Sequence, residues 1–508
     1  MKKILILPLD ERPCNYRFNQ MLAEETNYEI VLPPIDILGQ KKQKGNTELI
    51  AKWLLENIKN VDAAIISVDM LCYGGIVPSR LHYDSIPTIL KRLDILKQLK
   101  IINSKVKIYA HHLIMRNPAY SSSEEEPDYY ETEGRDIHLY GVIKHKISLN
   151  QASNFDLEQL NLIEKRIDKA ALKDYLDRRE VNLTINKAFI QLGSEDYYDF
   201  GIVPQDDSSF YGLTALDQII IRKAIVENNM EMKIYMYPGA DEITNVLMTR
   251  AINEIEGKSP KIYPYFSSKK APNMIPLYED RQLSESLKYQ IITTNAVILD
   301  NDIDADIILM INAPSSEMME AINYDKPNPN YDVNRNLIEF ILKMKYYLSI
   351  GKKVAVADIA YANGGDPYLI KIMKQEKLLY RVCGYAGWNT SANSLGTVIP
   401  QAILNMHYPN RKSNERFLAL RYIEDVGYCT FARPLVRKTL KEPYHNFLID
   451  GKRGSVVEQI KKELESFIKT YLSLEEKIPV IKDIYSPWNR MFEIGLEVDL
   501  VDNQAFDR

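Results

Sequence analysis

Residues 198–207 read YDFGIVPQDD, and this stretch decides how the rest of the chain is interpreted. The apolar run FGIV ends shortly before two adjacent aspartates, Asp206 and Asp207, and a helical pattern follows over 211–229. A buried strand followed by a helix is the repeating unit of parallel α/β folds. The stretch therefore predicts an α/β fold that carries polar residues where its strands end.

Comparable runs recur along the chain, short, rich in β-branched residues and continuously apolar, as in strands buried on both faces of a parallel sheet. They lie at 3–12, 28–34, 62–70, 105–116, 232–242, 304–314, 352–365 and 379–390. We predict a TIM-like (β/α)8 barrel over about 1–405, with 28–34 as an accessory strand. A doubly wound open sheet is the alternative, although no GxGxxG follows any of these strands, which weakens its dinucleotide-binding version.

The segments between these runs have helical periodicity. In 86–99 the predicted buried stripe contains Ile86, Ile89, Leu90, Leu93 and Leu96. In 333–348 the pattern places Leu337, Ile338, Ile341 and Met344 on the buried stripe.

Two regions depart from the strand–helix pattern. Residues 117–197 are too long for a simple loop and predict an inserted helical subdomain. Its polar start, 121–136, should border the site, with Tyr129 or Tyr130 lining it. After about residue 405 the pattern becomes mainly helical with one late strand at 491–500, which predicts a C-terminal domain over 406–508.

Composition limits the functional class. The 508 residues carry a net charge of -5, which argues against a nucleic-acid partner. No run of about 18 apolar residues is present, so we expect no membrane span. The N-terminal MKKILILPLDERP lacks a signal-peptide cleavage site and predicts a first strand. The four cysteines show no CxxC spacing, and we expect a cytoplasmic protein in which Cys14 and Cys72 are packing residues.

In a barrel, chemistry is located at the carboxyl ends of the strands. Acidic and amide side chains recur there, with few lysines among them, which favours a hydroxyl-rich, uncharged ligand over a phosphate. Besides Asp206 and Asp207 as catalytic residues, the predicted ligand-binding set is Asp10, Glu11, Arg12, Asp69, Arg116, Asp241, Glu242, Asp358, Asn363, Trp388, Asn389 and Asn393.

The pair Asp206-Asp207 has two interpretations. Adjacent carboxylates repel, each raises the pKa of the other, and a raised pKa suits a general acid. Alternatively, aspartate and serine after a strand act as helix caps, a role also open to Asp241 and to Ser208-Ser209. No metal or organic cofactor is expected, because His111 and His112 point to opposite faces of a strand and no HExxH is present.

Four motifs carry a resemblance to known families: LPLDERPCN, QDDSSFYG, YPGADE and GYAGWNTSANSLGTVIPQA. Over nearly the whole chain they resemble a bacterial family catalogued as a domain of unknown function. The order of the strand-end motifs is also similar to that of the family 84 glycoside hydrolases, the O-GlcNAcase-like N-acetylglucosaminidases, which are (β/α)8 barrels. Arg12-Pro13 and the adjacent aspartates match that order, whereas the aromatic-glycine opening is missing and an alanine precedes Asp358.

This second resemblance implies roles for the acidic pair. Asp206 would polarise the substrate's own 2-acetamido group, and Asp207 would protonate the leaving oxygen. Asp358, Tyr361 and Asn363 loosely echo a Trp-Asp-Asn-Tyr motif, and Asn389 or Asn393 would supply the asparagine of the last strand. If the substrate has no acetamido group, a carboxylate must attack. The candidates for that attack are Asp241, Glu242 and Asp358.

We therefore expect a glycoside hydrolase that acts on a small imported glycoside, with N-acetylhexosaminides among the candidates. One alternative is a non-catalytic carbohydrate-binding protein. Another is a metal-dependent hydrolase that uses Asp10, Asp69, His111 and Asp241.

Overall fold

The computed structural model describes residues 1–474 and 477–502, which form a mixed α/β fold with parallel sheets. Its strands are β1 Lys2–Leu7, β2 Tyr28–Val31, β3 Gly39–Gln40, β4 Gln43–Lys44, β5 Ala63–Ser67, β6 Lys107–His111, β7 Phe200–Ile202, β8 Ile234–Tyr235, β9 Lys261–Phe266, β10 Val297–Ile298, β11 Ile307–Asn312, β12 Met319–Glu320, β13 Lys353–Asp358, β14 Tyr361–Ala362, β15 Gly384–Ala386, β16 Lys477–Tyr485 and β17 Gly495–Asp502.

The α-helices follow the apolar periodicity of the intervening segments. They are α1 Pro13–Tyr16, α2 Phe18–Ala23, α3 Thr47–Asn57, α4 Val68–Tyr73, α5 Pro78–Leu81, α6 Ile86–Leu93, α7 Ile95–Ile102, α8 Tyr130–Ser148, α9 Asn154–Arg166, α10 Lys169–Ser194, α11 Leu213–Glu227, α12 Ile243–Glu256, α13 Leu283–Thr293, α14 Pro329–Asp332, α15 Leu337–Ser349, α16 Pro367–Gln375, α17 Ser391–His407, α18 Lys412–Arg421, α19 Arg433–Arg437 and α20 Ser455–Phe467. Two π-helices span Tyr422–Ala432 and Ile468–Leu472. Within the described ranges, no helix has the length and apolarity needed to cross a membrane.

The chain divides into two compact units. The first consists of residues 1–11, 28–244 and 278–280, and the second contains the rest of the described chain. This division differs from the predicted boundary near residue 405, because the residues after 405 share a unit with the second large sheet. The inserted segment 117–197 lies in the first unit and is mainly helical, as predicted, in α8, α9 and α10.

The first unit contains a six-stranded parallel sheet of order β2-β1-β5-β6-β7-β8. The second contains a five-stranded parallel sheet of order β10-β9-β11-β13-β15. Both sheets start at an inner strand, run to one edge and then reverse to the other side. This order is typical of doubly wound folds, which bind ligands beyond the carboxyl ends of their strands.

The predicted closed eight-stranded barrel is not formed, since neither sheet closes on itself in the described part of the chain. Strand–helix alternation and fully buried strands are common to barrels and open sheets, so the local pattern does not separate them. Whether a sheet closes into a barrel depends on pairing between its edge strands. The first sheet ends at β8, which has two residues, and the second ends at the equally short β10. The accessory strand predicted at 28–34 is β2, at an edge of the first sheet.

Strand β9 was missed by the sequence pattern because it contains Pro264, and proline is rare inside a sheet. On one side β9 pairs with β11 over its length, and Leu309 lies opposite Pro264. On the other side β10 pairs only with Lys261 and Ile262. Pro264 therefore lies where β9 has no second neighbouring strand, and its missing N–H interrupts no pairing.

The ring of Tyr198 fills the space beside two glycines and so sets the position of β7. It stacks on Phe189 with a centroid distance of 4.7 Å, and its hydroxyl donates to the Phe189 carbonyl. A side chain at Gly193 would overlap the Tyr198 hydroxyl, and one at Gly201 would approach its ring to 2.8 Å. Because Tyr198 is fully buried, it has no space into which to move.

We expect Gly193→Ala and Gly201→Ala each to lower the free energy of unfolding by about 1–3 kcal/mol through overpacking. Urea denaturation measures this change. Lys187→Ala, on the exposed side of α10, is the control and should stay within about 0.5 kcal/mol of wild type. Glycine variants as stable as this control would show that the packing around Tyr198 is not restrictive.

Candidate functional site

The loop that carries Asp206 and Asp207 begins where β7 ends. Gln205 bridges Ile114 and Pro238 in parallel pairing, so the sheet holds the backbone up to the residue before the pair. Asp207 has a φ of 43°, in the left-handed region that non-glycine residues rarely adopt. Strained backbone of this kind is concentrated at functional sites.

The aspartate pair does not cap the helix that follows. Helix α11 begins at Leu213, its N-cap is Gly212, and no side chain bonds to its first amides. The capping role that the sequence left open for Ser208-Ser209 is not taken up either: the Ser209 hydroxyl donates to the Tyr211 carbonyl at 2.6 Å, and the Ser208 hydroxyl to the Tyr278 carbonyl at 3.5 Å.

Each aspartate is instead held by its own arginine. The Arg80 guanidinium donates to Asp206 at 2.7 Å, and the Arg116 guanidinium donates to Asp207 at 3.0 Å. Arg116 belongs to the predicted site. Arg80 was missed, because it lies within the short helix Pro78–Leu81, where no strand-end motif marks it.

Two glutamates link the arginines to each other. Glu126 accepts from Arg116 at 2.7 Å and from Arg80 at 3.3 Å. Glu125 accepts from the same two guanidinium groups, at 3.1 Å in both cases. The acidic network therefore contains two guanidinium groups and four carboxylates, an excess of negative charge that favours keeping a proton on one acid.

The two glutamates place part of the inserted loop 121–136 beside this network. The tyrosines predicted to line the site lie elsewhere. Tyr130 is fully buried in the core of the insert and donates to the Pro118 carbonyl at 2.8 Å. Tyr129 donates to Asp174 at 2.8 Å.

The two aspartates differ in their surroundings. The Asp206 side chain is 18% exposed and makes the short ion pair with Arg80, whereas the Asp207 side chain is 24% exposed. Burial and the neighbouring Asp206 raise the pKa of Asp207 to about 6, against the opposing effects of Arg116 and Arg80. A carboxyl group with this pKa gains and loses its proton near neutral pH, as a general acid must.

A third acid lies behind the pair. Asp69 is fully buried, and burial raises its pKa to about 7 although the Leu113 amide donates to Oδ2 at 3.1 Å. Its Oδ1 has no hydrogen-bond partner among the described residues. It lines a cavity with room for about one water molecule, together with Arg80, Arg116 and Asp206.

Two adjacent histidines, His111 at the end of β6 and His112 directly after it, stay neutral. His111 and His112 are fully buried, and burial lowers both pKa values to about 3. His112 Nε2 lies 3.9 Å from Asp69 Oδ1. Over residues 1–474 and 477–502, no three His, Cys, Asp or Glu side chains are arranged to hold a metal ion.

The other predicted residues of the first unit also follow strand ends. Asp10 and Glu11 follow β1, where Asp10 is buried and Glu11 accepts the Lys41 amide at 3.3 Å. Asp241 and Glu242 follow β8 and are both buried, and Glu242 accepts the Ala240 amide at 3.0 Å.

Asp358 belongs to the second unit, at the end of β13, in a fully bonded network. It accepts from Asn312 at 2.9 Å, from Tyr385 at 2.7 Å and from the Asp366 amide at 2.7 Å. Arg335 pairs with Asp366 at 2.5 Å. Burial and Asp366 raise the pKa of Asp358 to about 6, and the side chain is wholly buried. This network stabilises the carboxyl ends of β11, β13 and β15.

The remaining predicted residues also lie in the second unit and have structural contacts. The guanidinium of Arg12 lies 4.5 Å from the ring of Trp488. Asn363 donates to Glu320 at 2.9 Å. Trp388 is buried, and its indole N–H donates to Thr397 at 3.1 Å.

Asn389 and Asn393 take part in the N-terminal cap of α17. Thr390 and Asn393 form a reciprocal capping box, in which the Asn393 Oδ1 accepts from the Thr390 amide and hydroxyl. Asn389 Nδ2 donates to the same oxygen at 2.8 Å. The asparagines that the resemblance assigns to ligand binding are therefore part of a helix cap.

A family profile described as "Protein of unknown function (DUF4127)" matches residues 4–497, and the chain belongs to this family. The expected membership of a domain-of-unknown-function family is thus confirmed. No relative among curated proteins matches the chain.

The raised pKa of Asp207 predicts a pH-dependent stability. A carboxyl group whose pKa is about 6 in the folded protein stabilises the fold at low pH, and this contribution is lost as pH rises from about 4 to about 6. Asp207→Asn should therefore raise the melting temperature at pH 8 and change it much less at pH 4.5.

Asp199, at the other end of β7, is the matched control. Burial raises its pKa, but bonds from Lys107, the Ile108 amide and Lys100 outweigh burial and leave the pKa lowered. Its stabilisation is present above the unfolded pKa, so Asp199→Asn should lower the melting temperature at pH 8. Equal signs for the two variants would contradict the opposite pKa shifts.

The capping role of Asn393 predicts that Asn393→Ala lowers the free energy of unfolding by about 0.5–2 kcal/mol. Asn393→Asp keeps the accepting oxygen near a helix N-terminus and should retain most of that stability. Chemical denaturation of both variants makes the test. An alanine variant with wild-type stability would free Asn393 for another role.

Proposed function

We propose that this protein is a glycoside hydrolase in which Asp207 is the general acid and Asp206 is the second carboxyl group of the site. The observation that carries the proposal is the difference between two adjacent acids that cap no helix. Asp206 is bonded to Arg80 at 2.7 Å, while Asp207 has a pKa of about 6 and a partly exposed side chain. A carboxyl group whose pKa is raised by burial and by a neighbouring acid is the usual choice for a general acid.

The surface next to the pair supports a sugar ligand. Phe210, three residues after Asp207, is 63% exposed. Tyr120 and Tyr278 also expose their rings, and the Tyr278 carbonyl accepts the Ser208 hydroxyl of the aspartate loop. Exposed rings beside a few polar groups are typical of sites that bind one face of a small organic ligand.

In the proposed reaction Asp207 donates its proton to the glycosidic oxygen as the bond from that oxygen to the anomeric carbon breaks. For an N-acetylhexosaminide, the substrate's acetamido oxygen attacks the anomeric carbon, and Asp206 accepts the amide N–H as positive charge develops there. Water then opens the cyclic intermediate, and Asp207 recovers a proton from that water. Substrate-assisted hydrolysis of this kind is a known variant of the two-carboxylate scheme.

The proposed site consists of residues of the first unit. Arg80 and Arg116 hold the acids in place, and Glu125 and Glu126 orient the two guanidinium groups. We propose a small imported glycoside as substrate and a cytoplasmic location, in keeping with the chain's composition and net charge of -5.

The test is a panel of nitrophenyl glycosides that includes N-acetylhexosaminides, assayed with and without chelator. Asp207→Asn should lower kcat/KM by about 10²–10⁴-fold, and the loss should shrink for a dinitrophenyl leaving group, which needs little protonation. Asp206→Asn should lower the rate whatever the leaving group, because it impairs the attack. Wild-type kcat/KM should fall as pH rises above about 6, and Asp207→Asn should lose that limb.

Asp199→Asn, which lies directly before β7 and so beyond the opposite end of that strand, serves as the activity control and should keep wild-type kcat/KM per folded molecule. No turnover of any glycoside on the panel would favour a carbohydrate-binding protein. Turnover that chelator abolishes would favour the metal-dependent alternative. An Asp207→Asn variant that keeps full activity on poor leaving groups would remove Asp207 from the mechanism.

A further inference from the structure

Helix α15 in the second unit is apolar on two opposite faces. One face packs against β11 and β13 and buries Phe340, Ile341, Met344 and Tyr347. The other faces solvent with Ile338, which is 74% exposed, Leu342, which is 58% exposed, and Tyr346, which is 52% exposed. Ile350, directly after the helix, is 53% exposed. We call Ile338, Leu342, Tyr346 and Ile350 the α15 stripe.

The α15 stripe corrects the sequence-based assignment of this helix. The pattern placed Ile338 on the buried stripe with Ile341 and Met344, but Ile338 is the most exposed apolar side chain of the helix. A helix on the surface of a globular protein usually has a polar outer face, and one that is apolar all round is usually buried. A contiguous exposed apolar stripe with polar flanks marks an interaction surface.

The spacing of the stripe residues along the helix places Leu342 at the centre of the stripe. Ile338, Leu342 and Tyr346 follow one another at intervals of four residues, so they lie along one side of the helix. Leu342 is in the middle, one turn from each of the other two. Glu339 and Lys343 are also four residues apart and flank the same edge of the stripe.

The flanking charges are placed for contacts beyond the helix. Glu339 is partly exposed and accepts the Tyr265 hydroxyl, a bond that uses only part of its accepting capacity. Lys343 is partly exposed, and its ammonium group lies 5.7 Å from the centroid of the Tyr346 ring. One edge of the stripe thus carries a negative and a positive group in sequence.

We propose that the α15 stripe is the contact surface of a homodimer, in which α15 packs antiparallel against the same helix of a second copy. A twofold axis that passes beside Leu342 places it against the partner's Leu342. The same axis sets Ile338 beside the partner's Tyr346, and Tyr346 beside the partner's Ile338. Such an isologous contact is the most common form of association between identical chains.

The flanking charges select the second copy and the antiparallel direction. In the antiparallel arrangement Glu339 lies on the same edge as the partner's Lys343, two residues or about 3 Å away along the helix axis, and the pair occurs twice. In a parallel arrangement the two groups would lie on opposite sides of the contact. A surface whose flanking charges complement those of a second copy favours association with that copy.

Sedimentation velocity of the full chain from about 1 to about 100 μM tests the proposal, since a dimer is populated by mass action. We expect wild type to shift from monomer to dimer in this range. Leu342→Arg should raise the dimer dissociation constant about 100-fold or more, because it buries an unpaired charge at the centre of the contact. Ile219→Arg on α11, an equally exposed apolar position outside the stripe, should leave the dissociation constant unchanged.

Two further variants test the register. Glu339→Lys should weaken the dimer about 10-fold through like charges, and the double variant Glu339→Lys with Lys343→Glu should restore it. Because the four native cysteines are buried, Leu342→Cys introduces an accessible thiol at the proposed axis and should form an intermolecular disulfide on mild oxidation. Circular dichroism confirms that each variant is folded.

A wild-type chain that stays monomeric at about 100 μM would overturn the proposal and point to a different occupant. A dimer that forms equally well with Leu342→Arg, or one that Leu342→Cys does not cross-link, would place the contact elsewhere. These outcomes do not depend on the glycosidase proposal, which concerns only the first unit.

Discussion

The ion pairs of Arg80 and Arg116 are the interaction on which the candidate site depends. The four carboxylates that bond to these two guanidinium groups would not be held together without cations, because each would repel the rest and lose part of its hydration. The two guanidinium groups supply the missing charge and several donors at fixed geometry. With their partners they connect four separate parts of the chain: helix α5, the segment after β6, the residue pair Glu125-Glu126 and the loop after β7. The inserted segment is therefore part of the site, because it contributes two of its four acids.

The same chemistry serves a different purpose in the second unit. There Arg335 pairs with the buried Asp366, and burial together with Asp366 raises the pKa of Asp358. Asp358, however, accepts three hydrogen bonds, and its side chain is wholly buried. Asp206 and Asp207 keep part of their surface in contact with solvent. A shifted pKa is thus common to both networks, and exposure separates an acid that can meet a ligand from one that holds a sheet together.

Several sequence predictions located polar residues correctly but assigned them a role that they do not have in the structure. Asn389 and Asn393 follow a strand as predicted, yet they cap α17. Helix capping was one role open to the serines after Asp207, yet that helix starts at Leu213 and its N-cap, Gly212, provides no side-chain cap. Asparagine, aspartate and serine all bond readily to nearby backbone amides, so the residue type indicates a polar role without saying which one. Helix α15 shows the same limit for apolar residues, because both of its faces satisfy a helical pattern and only packing decides which face is buried.

The sequence alone determined the α/β class, the position of most strands, the helical insert and the acidic pair at the end of β7. These features are local: apolar runs, helical periodicity and an unusual dipeptide are all read within a short window. The tertiary structure decided that the strands form two open sheets and not one barrel, and that Arg80, Glu125 and Glu126 join the acidic pair. Both outcomes depend on which distant segments meet, through edge pairing in the sheets and through salt bridges between residues up to 126 positions apart. A local sequence pattern does not predict such tertiary contacts, because the free energy that favours them comes from burial and charge pairing in the folded chain.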